Sequence, residues 1–142
     1  QSEAIARNLA VMSSLKTKIL VVVSGEGGSG GALALGVGDH IAILEYGTYS
    51  VASPEACASI VWRDSDKAPE AAEAMKVGAS DLKNIGIVDE IIVEPIGGAH
   101  QDYDAVSANI KSSLLTNIAE LSKFSQEELL QRRYQRLLKI GA

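Results

Sequence analysis

Between the apolar run Ile19–Val23 and the small-residue stretch Ala32–Leu35 lies Gly25-Glu26-Gly27-Gly28-Ser29-Gly30-Gly31, in which five of seven positions carry no side chain. A backbone this bare lets main-chain N–H groups come close to a ligand. A helix that starts there aims its unpaired donors and positive dipole end the same way. The natural guest is an oxygen bearing negative charge, whether of a phosphate, a covalent acyl intermediate or a bound cofactor on which charge develops.

Several chemistries fit the run. Gly25 to Gly30 satisfies G-x-G-x-x-G, with Glu45 at the end of the following strand, which is the dinucleotide-binding outline. Against it, Gly36 and Gly38 cut the next helix short, and no crossover helix fits between His40–Leu44 and Thr48–Ala52, as parallel Rossmann strands require. Gly27-Gly28-Ser29-Gly30-Gly31 also fits G-x-S-x-G, and Asp89 and His100 follow in the order of the α/β-hydrolases. In so glycine-rich a run that match comes nearly free, and a triad demands geometry that sequence order does not supply. Asp89 is expected beside a strand facing solvent and His100 in a turn. A phosphate-binding P-loop needs Lys where this chain has Gly31. The remaining chemistry uses no nucleophilic side chain: the N–H groups of Gly30 and Gly31 converge on a carbonyl oxygen and stabilise charge appearing there, one such donor being worth about 2.7–4 kcal/mol. A glycine turn that serves only close helix–strand packing is the plain alternative.

The elements that must hold this run follow from patterning. Ser2 caps a first helix whose Ile5, Leu9 and Met12 share one stripe and are expected to pack on a sheet. Ile19–Val23 reads as a strand buried on both faces, ending at the glycine turn, and Gly30–Gly36 as a short helix. His40–Leu44 and Thr48–Ala52 read as two strands. Ser53-Pro54-Glu55 starts a helix running to about Arg63, with a capping hydroxyl, a preset φ and a carboxylate near the positive end. Pro69 begins another helix, Ser80–Asn84 is a weak helical turn, and Ile87–Val93 is a strand. Val106, Ile110, Leu114, Ile118 and Leu121 mark a long amphipathic helix. Ser125 and Glu128 have capping-box spacing ahead of Leu129, Leu130, Tyr134, Leu137 and Leu138.

Composition narrows the classes. At 142 residues the chain fits one domain, and with 46% hydrophobic but 4% aromatic residues its core must come from Ala, Val, Ile and Leu. The net charge of -5 argues against a duplex nucleic-acid binder. The late cluster Arg132, Arg133, Arg136 and Lys139 reads first as a solvated helix face. One cysteine, Cys57, flanked by Ala56 and Ala58, excludes an intrachain disulfide and a multi-cysteine zinc site and reads as a small buried residue. No apolar run reaches the length of a membrane span, so a soluble protein is expected, and the opening at Gln1 without Met reads as that of a fragment.

The blocks Gln1-Ser2-Glu3-Ala4-Ile5-Ala6, Gly25 to Ala34, Tyr49-Ser50-Val51 leading to Ser53-Pro54-Glu55, Asp66-Lys67-Ala68-Pro69, Glu94-Pro95, Gly97-Gly98-Ala99-His100 and Arg132-Arg133-Tyr134-Gln135-Arg136 stand in order along the whole chain. Together they resemble the carboxyltransferase alpha-subunit family of bacterial and plastid acetyl-CoA carboxylase, in its C-terminal part. Lys16-Thr17-Lys18, where many relatives carry a Gly and a Pro, is a minor departure. The resemblance implies an α/β fold of the crotonase (ClpP)-like kind, a spiral of β-β-α units over residues 1–95 with a C-terminal helical arm over 96–142, together forming part of one carboxyltransferase domain. It implies transfer of a carboxyl group from carboxybiotin, carried on biotin carboxyl carrier protein, to acetyl-CoA. The product is malonyl-CoA for fatty acid synthesis, within an ATP-dependent complex in the bacterial cytoplasm or plastid stroma. Gly30 and Gly31 would be the catalytic donors to the ureido oxygen of biotin, Gly27 and Gly28 would shape its approach, and the biotin nitrogen would take the methyl proton. A zinc-binding beta subunit, two of each chain in the assembly, would bear the acetyl-CoA side, leaving no metal, DNA or membrane role here. A noncatalytic assembly subunit of the same fold, or a serine hydrolase using Ser29, are the alternative readings.

Overall fold

The computed structural model describes residues 2–140; Gln1, which opens the first block of the resemblance, and residues 141–142 lie outside it. Helix α1 (Ser2–Ser14) is followed by strands β1 (Leu20–Val23) and β2 (Glu26–Gly28), helix α2 (Ser29–Leu35), strands β3 (His40–Leu44) and β4 (Thr48–Ser50) and helix α3 (Pro54–Trp62). A 3-10 turn at Ser65–Lys67 leads to α4 (Ala68–Met75), α5 (Ala79–Asn84) and β5 (Glu90–Ile92). Another 3-10 turn at Ala99–Gln101 precedes α6 (Tyr103–Leu121) and α7 (Gln126–Leu138).

Consecutive strands belong to different sheets. β1, β3 and β5 form one parallel sheet in that order, with Leu20 opposite His40 and Ala42 opposite Glu90. β2 and β4 form a second parallel pair, with Gly27 opposite Tyr49. Each turn of the chain is therefore β, β, α: β1-β2-α2, then β3-β4-α3, then β5. The crossover for which the sequence leaves no room between β3 and β4 is not needed there, because those two strands do not pair. The link from β1 to its parallel neighbour β3 runs through β2 and α2. The strand β2 itself was hidden in the sequence, since three residues of Glu and Gly carry no apolar alternation.

Burial explains the apolar runs. Val21, Val23, Ile41 and Ile43 project from one face of the three-stranded sheet against Ala79, Leu82 and Val88. Ala42, Leu44 and Ile92 project from the other against Val106 of α6. β3 is thus covered on both sides, as parallel strands usually are. No helix among the described residues is long and apolar enough to cross a membrane.

Local signals placed most helix ends correctly. Ser53 accepts a hydrogen bond from the Ala56 N–H, Pro54 stands in the first turn, and Arg63 closes α3 in a left-handed conformation. Ser125 and Glu128 form the expected capping box on α7. Helix α1 departs from expectation: Ile5, Leu9 and Met12 are its only partly buried residues, as the stripe predicts, but they rest mainly on α2 and α7 rather than on a sheet. Within α6 the inward face is Val106, Ile110, Ser113, Leu114, Asn117 and Leu121, while Ile118 of the expected stripe turns outward, because a straight 3.6-residue period drifts away from repeated i+4 steps.

Ile43, fully buried, and Ser125, an exposed cap, separate packing from capping. Ile43→Ala is expected to cost about 2–5 kcal/mol in urea unfolding, and Ser125→Ala about 1 kcal/mol. Equal losses at the two sites would contradict this description of the core.

Candidate functional site

The glycine run is split between three backbone states. Gly25 ends the corner after β1, Glu26–Gly28 are strand, and Ser29 starts α2. Ser29 has φ 55, a left-handed conformation uncommon for a residue with a side chain, and it turns the strand directly into the helix. The N-cap Gly28 is extended and no side chain caps α2, so the first-turn amides, Gly30 and Gly31 among them, are claimed by no capping side chain.

The four candidate glycines have different surroundings. A Cβ on Gly27 would lie 2.8 Å from Cδ2 of Tyr49, so the strand-paired tyrosine ring packs directly on bare backbone. The Tyr49 hydroxyl donates to the Ala32 carbonyl in α2, tying the helix to β4, and burial raises the tyrosine pKa despite the opposing charge of Arg136. A Cβ on Gly30 would meet Cδ1 of Ile5 at 3.3 Å, whereas nothing lies within 4 Å of such an atom on Gly28 or Gly31. One side of the helix start is covered by α1 and another is open. Beside Ser29 a cavity of about 340 Å³ runs between α2, β4 and the α4–α5 region, lined chiefly by apolar side chains such as Leu33, Val51, Met75 and Leu82.

The other sequence candidates are not assembled with this run. Asp89 accepts from the Ile41 N–H at 2.8 Å and pairs with Arg136 at 3.1 Å, so it is half-buried and structural rather than solvent-facing. His100 sits exposed in the Ala99–Gln101 turn, its ring bonded to Gln101. The hydrolase triad through Ser29 is therefore absent. Glu45 is exposed and accepts from the Glu94 N–H, joining the ends of β3 and β5 instead of waiting for a ribose. Cys57 is partly rather than fully buried. Among the described residues no group of three or more His, Cys, Asp or Glu could hold a metal ion.

The arginine cluster corrects the reading of a solvated face. Arg133 is 1% exposed: Nε and Nη2 donate to the two carboxylate oxygens of Asp39, each at 2.8 Å, and the remaining donors reach the carbonyls of Met12, Ser13, Leu15 and Thr17. Arg136 donates to Asp89 and to the Ile87 carbonyl. Only Arg132 and Lys139 are exposed, Arg132 lying 4.0 Å over the Phe124 ring. The signal was present in the sequence, since Leu129, Arg133 and Arg136 fall at i, i+4 and i+7. The larger cavity, about 610 Å³, opens here between α6, α7 and the α5–β5 corner, away from the glycine run. The charges on its wall at Asp39, Asp89, Arg133 and Arg136 are already paired.

A second polar cluster lies at β5. One oxygen of Glu90 accepts from Ser113 at 2.8 Å, from Asn117 at 2.8 Å and contacts His40 Nε2 at 2.9 Å. Burial alone would raise the Glu90 pKa, but the hydrogen bonds from Ser113, His40 and Asn117, with the charge of His40, outweigh it and leave the pKa lowered. This carboxylate is why Ser113 and Asn117 turn inward on α6.

A family model described as acetyl co-enzyme A carboxylase carboxyltransferase-like matches residues 1–141. The acetyl-coenzyme A carboxylase carboxyl transferase subunit alpha of Vibrio cholerae is 60% identical over 99% of this chain and 44% of its own length. Those of Photobacterium profundum and Pseudoalteromonas atlantica are 58% and 57% identical over the same shares. The chain thus spans 44% of the length of these curated relatives. In a crystal structure of a Pseudomonas malonate decarboxylase hetero-tetramer in complex with coenzyme A, one chain superposes with TM-score 0.75 at 14% identity, covering 93% of this chain and 52% of that one. That likeness establishes the α/β, crotonase-like fold.

Glu90 supplies a pH test. Because its folded pKa lies below the ordinary 4.5, its contribution to stability is present above that value and is lost as pH falls through the depressed one. Glu90→Gln is expected to flatten the part of the acid-unfolding curve below about pH 4.5. An unchanged acid limb would contradict the network.

Proposed function

The chain belongs to the acetyl-coenzyme A carboxylase carboxyltransferase family, and on that premise we propose that it forms part of an alpha subunit transferring a carboxyl group from carboxybiotin to acetyl-CoA. The match to curated alpha subunits along nearly the whole chain carries the reading. The product is malonyl-CoA, for fatty acid synthesis by an ATP-dependent complex of the bacterial cytoplasm or plastid stroma.

Within that subunit the amides of Gly30 and Gly31 are the catalytic donors, directed at the ureido oxygen of biotin, where negative charge grows as the carboxyl group leaves. Gly27 and Gly28 shape the approach. The uncapped start of α2 and the open space at Gly28 and Gly31 support this assignment. Carboxybiotin, delivered by biotin carboxyl carrier protein, is the substrate that supplies the carboxyl group and the nitrogen that takes the methyl proton. No side chain of this chain then has to serve as general base. Acetyl-CoA is held by a zinc-binding beta subunit, two alpha and two beta chains forming the assembly, so this chain alone is inactive.

Two variants in the reconstituted alpha–beta complex test the assignment. Gly31→Val adds a side chain where there is room for it, so the circular dichroism spectrum stays native while kcat for carboxyl transfer falls about 10²–10³-fold. Wild-type turnover in that variant would overturn the donor assignment. Ser29→Gly removes the hydroxyl at a φ of 55 that glycine adopts freely, and turnover is expected to stay near wild type, whereas a serine nucleophile would make it fatal.

A further inference from the structure

We propose that α1 is a strap that positions the glycine helix, with buried Arg133 as its latch and Ile5 as the contact through which the strap acts on Gly30. The proposal rests on the carboxyltransferase reading only in taking the start of α2 as the reacting site. Among the described residues helix α1 buries none of its side chains completely, its Ile5, Leu9 and Met12 being half-covered. The exposed ion pair just past its end, Lys16 with Glu127 at 3.8 Å, adds little. The end of α1 is held by the guanidinium of Arg133, which takes the last-turn carbonyls of Met12 and Ser13 and those of Leu15 and Thr17 just beyond.

The other side of that guanidinium is held by the sheet. Asp39 receives two bonds from Arg133 and a third, at 2.7 Å, from the Ile19 N–H at the entrance to β1. The strap is therefore referenced to the starts of β1 and β3 through one planar group, a role that an ammonium with three donors at a point cannot reproduce. From Met12 back to Ile5 the helix runs roughly 10 Å. There Ile5 lies on Gly30, and a change in the angle of α1 at the latch becomes a shift of α2 at the contact. Arg133, Asp39 and Ile5 are positioning residues. They touch the donors' helix or its support, and the face left open at Gly31 stays free for the ligand.

The test uses the reconstituted alpha–beta complex, with malonyl-CoA and free biotin as the probes. Arg133→Lys is expected to speed amide exchange in α1 and also in Leu33–Gly36, while β3 stays protected. It should lower kcat on the order of a hundredfold, the scale of a misplacement near 1 Å, and leave KM for malonyl-CoA unchanged. Faster exchange confined to α1 would overturn the proposal. Should Arg133→Lys fail to fold, Ile5→Ala decides: removing the contact on Gly30 while Arg133 still holds the end of α1 is expected to speed exchange in Leu33–Gly36 and lower kcat, with KM for malonyl-CoA unchanged. Wild-type turnover and unchanged exchange in Ile5→Ala would sink the strap. If the wild-type complex transfers no carboxyl group, the carboxyltransferase reading fails instead, and the exchange measurements still decide whether α1 governs α2.

Discussion

A guanidinium that is 1% exposed has to be paired, and the pairing of Arg133 with Asp39 is the constraint around which this chain is arranged. Removing one member of such a buried pair costs about 3–5 kcal/mol, because the other charge is left without a partner. The pair joins segments far apart in sequence: the end of α1, the entrances to β1 and β3, and the middle of α7. Arg136 repeats the device one turn later through Asp89, whose carboxylate also holds the first amide of the buried stretch of β3. Two arginines thus fasten α7 to the strand starts of a parallel sheet whose own core is made of small aliphatic side chains.

The glycine run answers to several close contacts at once. Gly27 is bare because the Tyr49 ring rests on it, Gly30 because Ile5 does, and Gly31 faces open space. A structural glycine turn and an oxyanion-binding turn are not rivals here, since packing accounts for some positions and leaves others free for a ligand. Tyr49 serves both, its ring supporting β2 and its hydroxyl bonding α2, so that the path from strand to helix through Ser29 is held on either side.

Much of the fold could be read from local chemistry. β3 runs from His40 to Leu44 as its apolar pattern required, and the caps at Ser53 and Ser125 hold α3 and α7 where hydroxyl, proline and glutamate spacing put them. The misreadings share a cause. β2 has no apolar residue to betray it, Ser113 and Asn117 face inward because Glu90 lies opposite them, and Arg133 is buried because Asp39 and a set of helix-end carbonyls wait for it. In each case the deciding partner is distant in sequence, and periodicity is blind to partners.

The order of residues by itself determined the membership of this chain in its family, the succession of short strands and helices, and the bare backbone at Gly27, Gly28, Gly30 and Gly31. Those properties depend on side-chain size, local dihedral preference and caps, which act over a few residues. Only the tertiary structure decided that consecutive strands part into two sheets, that Asp89 and His100 stay away from Ser29, and that the arginines of α7 point inward. Those outcomes depend on desolvation and hydrogen bonding between segments many residues apart, whose energies exist only once the chain has brought the groups together.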